Sequence, residues 1–192
     1  MLGLVNRSIE VFLRTTYGEP LWQEVARKSS IDVRGFNSLR EYKDDLTTTL
    51  LRNAAAKLGK PSLDILEDTG AWLVRLEPIR RLLRFSGSDF AEFVAALEEL
   101  PGRARMAVPR LPFPPVTVVR LGPDHIRISG RDWPFGLQWM LAGALRGMAD
   151  DYGVLVIIEA RVEAVEMKVL VEGYTDSRPF DFSPQLEQGH PQ

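Results

Sequence analysis

The stretch that most constrains this chain is SDFAEFVAALEELPGRARMAVPRLPFPP, residues 88–115. Phe90, Phe93, Val94, Leu97 and Leu100 recur at helical spacing with Asp89, Glu92, Glu98 and Glu99 between them, which predicts an amphipathic helix with its apolar stripe turned inward. Pro101 has no backbone N–H and crowds the carbonyl four residues back, and Gly102 adds backbone freedom, so a helix running on through RARMAV has to kink here. Pro109, Pro112, Pro114 and Pro115 then stiffen an extended connector. Upstream of this stretch the chain reads as helix and downstream mostly as sheet, which places a pocket at the junction with the broken helix as its wall.

Composition narrows the function classes. The chain has 192 residues, enough for one domain with its own core. A net charge of −2 and a pI near 5.8 argue against a nucleic-acid binder, which needs a concentrated basic face. Zero cysteines exclude a disulfide scaffold, a thiol nucleophile and thiolate metal sites, and fit a reducing compartment. Met1-Leu2-Gly3 leads directly into a segment carrying Asn6, Arg7 and Glu10, which does not read as a signal peptide. No apolar run approaches the roughly 18–20 residues of a membrane span, so a soluble, cytoplasmic protein without a span is expected. His125 and His190 are the whole imidazole supply.

Periodicity predicts helices over 3–16, over PLWQEVARKS, over 44–58 with Gly59 after its end, and from Ser62 with that serine as cap; PIRRLLRF leads to Gly87 and the broken helix. SSIDVRGFNSLREYK reads as a loop with one turn of helix. VTVVRLG and HIRISG read as strands joined at Gly122-Pro123-Asp124, and RDWPFG as a loop. A helix over 135–152 follows, with Gly143 and Gly147 allowing close approach, then VLVIIEARV and EMKVLVEGY as an antiparallel pair. One domain over 1–182 is expected, divided into a helical part (1–60) and an α+β pocket part (61–182), with a flexible tail over 183–192.

Most chemical motifs reduce to structure. Asp68-Thr69-Gly70 spells the aspartic-protease tripeptide but falls inside a helical pattern, where that chemistry has no footing. Glu98-Glu99 and Asp150-Asp151 are adjacent on helices, point in different directions, and read as solvated faces. Arg80-Arg81 with Arg84 reads as a surface patch. No glycine-rich phosphate loop, nucleophile elbow or HExxH occurs. No catalytic residue and no metal ligand set is expected, and the chain reads as a non-enzyme. Ser129-Gly130-Arg131 is different, because an arginine beside a hydroxyl at a strand end suits bidentate grip of a carboxylate or phosphate.

Taken in order, several pieces resemble the heme nitric oxide/oxygen binding (H-NOX) domains, related to the sensor domain of soluble guanylate cyclase. They are the opening MLGLVNRSIEVFLRTTYGEPLWQEV, LEDTGAWLV with Gly70, DFAEFVAALEEL, Pro114-Pro115, Ser129 with Arg131, LRGMADDYG and the late PFDF, together covering about residues 1–182. The resemblance implies an α+β fold: a helical N-terminal part, then helices packed on an antiparallel sheet of about four strands.

The family holds heme through a histidine on the broken helix and grips the propionates with Tyr-x-Ser-x-Arg. By that resemblance the histidine position holds Pro101 and the tyrosine position Arg127, while Ser129 and Arg131 remain. The distal tyrosine of oxygen-binding members falls at Met140, which cannot donate a hydrogen bond. Pro115 belongs to the paired prolines. The cofactor-binding set is then Ser129, Arg131, Arg127, Pro101, Met140 and Pro115, with heme lacking its axial histidine or no cofactor at all. Met106, the one soft ligand nearby, reads as a core methionine. The implied function is a sensor or regulatory domain coupling pocket occupancy to a histidine kinase or a cyclic-nucleotide enzyme. The alternative is a heme-independent binder of another apolar acid, or an interaction module on the same fold.

Overall fold

The protein is described by a computed structural model covering residues 3–107 and 113–173. His190, the tail and Pro109 and Pro112 fall outside these residues.

Five helices precede the broken one: α1 (Gly3–Tyr17), α2 (Glu19–Lys28), α3 (Asp44–Leu58), α4 (Ser62–Leu73) and α5 (Glu77–Arg84). Their ends follow backbone chemistry. Gly18, at φ 90°, separates α1 from α2, and Pro20 sits in the first turn of α2, where its missing N–H costs nothing. Gly59 closes α3 in the left-handed region, its N–H on the Ala55 carbonyl. Ser62 is not the cap of α4: Pro61 holds that position, and Ser62 is already helical. The 29–43 loop contains no helical turn, because Asp32 and Asn37 accept the N–H groups of Arg34 and Leu39 and fold the chain into side-chain-closed turns.

The amphipathic stretch opens at Asp89, whose carboxylate accepts the Glu92 N–H at 2.8 Å. Helix α6 (Phe90–Ala95) then tightens into a 3-10 turn (Ala96–Glu99) before α7 (Leu100–Ala107). The break thus begins five residues before Pro101 rather than at it. Pro101 cannot donate to the Leu97 carbonyl, and the Leu100 N–H bonds that carbonyl instead, one residue earlier. Pro101 is thereby left in the first turn of a new helix, where no N–H is missed.

Strands β1 (Thr117–Arg120) and β2 (His125–Ser129), helix α8 (Leu137–Tyr152), and strands β3 (Leu155–Ala160) and β4 (Ala164–Val171) complete the order. The four strands form one antiparallel sheet in the order β1-β2-β4-β3. Ile126, Ile128, Val165, Met167 and Ile158 face inward and pack with Leu145 and Met148 of α8 and with Phe90, Phe93, Val94 and Leu97. A second core gathers α1 to α4 around Trp22, Leu50 and Leu66, and takes in Met140 from α8.

Helices α4 and α8 join the two cores by backbone contact. A Cβ at Gly143 would lie 1.8 Å from the Glu67 carbonyl oxygen, and one at Gly70 would lie 1.9 Å from that of Met140. Gly147 lies against a side chain instead, the Val74 Cγ2 methyl standing 2.4 Å from where its Cβ would be. The close approach expected of Gly143 and Gly147 is present, and Gly70 supplies its counterpart on α4. The Asp68-Thr69-Gly70 tripeptide is therefore structural: Asp68 pairs with Lys60, and the Thr69 hydroxyl donates to the Ile65 carbonyl at 2.7 Å. Among the described residues no helix is long and apolar enough to cross a membrane.

Candidate functional site

A cleft of about 520 Å³ opens where the broken helix faces the start of the sheet. One wall is Glu98 and Glu99 of the 3-10 turn with Pro101, Gly102, Arg103, Arg105 and Met106 of α7; the other is Pro115 and Val116, just before β1. The junction expected from sequence exists, and Pro101 and Pro115 stand on its opposite sides. Pro101 is buried and Met106 is 78% exposed at the rim, so Met106 is not the core methionine expected of it. Nine residues beyond Leu97, position 106 falls on the opposite side of a helix from the apolar stripe set by Phe93 and Leu97, which is why it is exposed.

Polar ties hold both walls. The Val118 N–H donates to the Glu98 carboxylate at 2.7 Å, so Glu98 is no idle solvated residue but the acceptor for a strand-edge amide. The Trp133 indole N–H donates to the Pro115 carbonyl at 2.8 Å, and the same ring fills the space where Gly130 lacks a side chain. Arg103 donates to the Ser86 hydroxyl at 2.7 Å, anchoring α7 to the turn before α6. Trp133 did not stand out in the sequence and Glu98 read only as half of a solvated pair, since their partners lie 18 and 20 residues away.

The remaining candidates are placed elsewhere. In β2, Ile126 and Ile128 take the core face, so Arg127 and Ser129 lie on the opposite face of the sheet. Arg127 is exposed and faces Glu166 of β4 at 4.0 Å. Arg131 is exposed in a turn whose next residue, Asp132, has φ 57°. Met140 is buried in the N-terminal core with its carbonyl against Gly70. None of these four lies among the described residues lining the cleft. The parity was legible in HIRIS, where the two isoleucines claim the core.

An iron at this cleft would find no nitrogen ligand among the described lining residues. The one described histidine, His125, lies on the outer sheet face with Nε2 3.5 Å from Glu166. Among the described residues no group of three His, Asp or Glu is placed to hold a metal ion. Among the described residues lining the cleft there is no imidazole to serve as an axial ligand.

Behind α6, a buried charge network corrects two further expectations. Asp151, only 5% exposed at its side chain, accepts from Arg80 Nε at 2.7 Å and lies 3.7 Å from Arg84 Nε. Asp151 is not a solvated face residue, and Arg80 and Arg84 are not a surface patch, because α5 lies across the C-terminal end of α8. The Arg84 guanidinium stacks 4.0 Å from the Tyr152 ring centroid, and the Tyr152 hydroxyl donates to the Gly87 carbonyl at 2.8 Å. Burial pushes the Tyr152 hydroxyl above the ordinary tyrosine range, against the opposing pull of Arg84. The end of α8 thereby grips the entry to α6.

The sequence profile of the haem-NO-binding family matches residues 2–160. The chain belongs to the haem-NO-binding family. A soluble guanylate cyclase of Caenorhabditis elegans, gcy-31, is 25% identical over 164 residues, which are 83% of this chain and 23% of that protein. The chain thus spans about a quarter of the length of this relative. Among solved structures, an H-NOX protein from S. oneidensis in the Fe(II) state superposes with a TM-score of 0.72 at 17% identity, over 90% of this chain and 97% of that one. A Cs H-NOX superposes at 0.71 with 16% identity, over 91% of this chain and all of that one. The H-NOX fold expected from the resemblance is therefore the fold of this chain, down to the four-stranded antiparallel sheet.

Proposed function

We propose that this H-NOX domain is a cytoplasmic, non-catalytic sensor module whose Pro101 cleft has given up histidyl heme ligation and couples its state to a signalling partner through α7. The observation that carries this reading is Pro101 itself. It is buried in the cleft wall at the start of α7, where a side chain able to bind iron would be needed, and it offers no donor atom. The soluble guanylate cyclase relative supports a cyclic-nucleotide enzyme as partner, and a histidine kinase is the other class the family resemblance implies. The cleft lining supports a second reading, an apolar acid as occupant: Met106, Pro101, Pro115 and Val116 supply apolar surface, and Arg103 and Arg105 supply guanidinium.

The test is spectroscopic. Protein as isolated should show no histidyl-type Soret band. Pro101→His mixed with hemin should acquire one, and Pro101→Ala should not. A stable histidyl-type spectrum from the unaltered protein would sink the proposal. Identical behaviour of the two variants toward hemin would show that the cleft excludes heme for a reason other than the missing ligand.

A further inference from the structure

The two walls of the cleft are not held equally. The Pro115–Val116 wall is fixed to the sheet from behind, by the Trp133 indole on the Pro115 carbonyl and by a backbone approach so close that a Cβ at Gly130 would lie 2.0 Å from that carbonyl oxygen. The α7 wall has two described polar ties. Arg103 to Ser86 runs back toward α6, and only Glu98 to Val118 crosses to the facing wall. Gly102 has nothing described within 4 Å of a Cβ position, so no described neighbour packs against α7 at that point.

The crossing bond uses a donor that the sheet leaves over. The Leu121 N–H donates to the His125 carbonyl, which makes that pair hydrogen-bonded, and the antiparallel alternation then points the Val118 N–H away from β2. Without Glu98 this amide would be a free edge donor.

We propose that the Glu98 carboxylate is the latch of the Pro101 cleft, tying the 3-10 turn and α7 to the β1 edge, and that release of its bond to Val118 is the movement that opens the cleft. The proposal rests on the reading of this cleft as the functional site and adds to it the residue that sets its width. The bond is charge-assisted and solvent-exposed, strong enough to hold a wall yet open to competition from another acceptor or donor.

The full chain tests it in two ways. Amide exchange followed by NMR should show the Val118 amide exchanging roughly tenfold to a hundredfold faster in Glu98→Ala, with Glu98→Gln intermediate and the central β2 amides unchanged. Because the chain has no cysteine, Met106→Cys on the cleft rim and Val119→Cys on β1 give one spin-label pair that spans from α7 to the sheet edge. Its distance distribution should broaden and lengthen when Glu98→Ala is added. Unchanged Val118 exchange, or superimposable distance distributions, would overturn the latch. Neither measurement involves hemin, so a Soret result that sinks the proposed function leaves this outcome readable by itself.

Discussion

The α4–α8 crossing and the Pro101 cleft hold the same chain together by opposite means. At the crossing, Gly70 and Gly143 bring two backbones into contact with no side chain between them, and Arg146 adds a bond to Glu67 and another, at 2.9 Å, to the Ile158 carbonyl. At the cleft the helix is interrupted, its hydrogen-bond ladder is rerouted around Pro101, and side-chain oxygens at the surface provide the ties. The first arrangement has no slack, because interiors respond to added volume by shifting whole elements. The second can give up one bond and keep its fold. Regions that move for function are drawn from this weaker class, which is why the cleft rather than the crossing is where a signal would be read.

The largest expected effect strikes the crossing. Gly143→Ala puts a methyl 1.8 Å from the Glu67 oxygen, on backbone that no rotamer change can clear, so α4 and α8 must separate. A loss of about 3 kcal/mol or more is expected in urea unfolding. Gly102→Ala in α7 is the matched control. Its Cβ meets nothing, and the gain in helix propensity should stabilise by up to about 1 kcal/mol. Equal responses at the two glycines would erase the distinction between the regions.

The next effect lies in the N-terminal core. Glu10 is fully buried on α1, where it accepts the Phe36 N–H at 2.7 Å and pairs with Arg7 and with Arg14, whose Nε lies 3.2 Å away. Gly35 at φ 97° leaves room for that carboxylate, since a Cβ there would sit 2.0 Å from it. Glu10→Ala leaves a buried amide and half-buried guanidinium groups without their acceptor, and should cost about 3 kcal/mol. Arg7→Ala, removing a partner whose side chain is 41% exposed, should cost less than about 1 kcal/mol. If Glu10→Ala behaves like Arg7→Ala, the N-terminal core resembles the cleft in tolerance and the contrast shrinks to the crossing alone.

The sequence made some of this legible and withheld the rest for one physical reason. Helix faces, Gly59, the turn at Gly122-Pro123-Asp124 and the close approach at Gly143 are local, set by period and backbone freedom, and each appears where expected, while the break expected at Pro101 is present but starts five residues earlier, at Ala96. Glu10 with Phe36, Asp151 with Arg80 and Glu98 with Val118 join positions 26, 71 and 20 residues apart, and no spacing rule brings such partners together before the topology is known. Adjacent carboxylates therefore read as solvated when one of each pair was committed. The cleft itself was legible because its walls flank the prolines. The positions of Arg127 and Ser129 were legible too, but the alternation of HIRIS needed to be weighed against the motif.

The smallest effect concerns acid. The Glu92 carboxylate accepts the Ser88 N–H at 3.0 Å and the Ser88 hydroxyl at 2.7 Å, bracketing the entry to α6 in the manner of a capping box displaced by one residue. These bonds, the backbone one first, hold its carboxyl below the ordinary glutamate value of 4.5. A carboxyl lowered in the folded state stabilises fully above its unfolded value, and that contribution disappears as pH falls through the lower folded value. The bracket should therefore be intact at neutral pH and fail only below 4.5. The Gly70 and Gly143 contacts of the α4–α8 crossing are backbone against backbone and use no carboxylate. The Ser88 amide proton, followed by NMR during acidification, should shift with a midpoint under 4.5, and Glu92→Gln should abolish that shift while the amides of Gly70 and Gly143 keep their protection against exchange through the same range. A midpoint at or above 4.5, or a concurrent loss of exchange protection at Gly70, would mean that the two regions loosen together, and that the entry to the broken helix is no more sensitive to its solvent than the joint behind it.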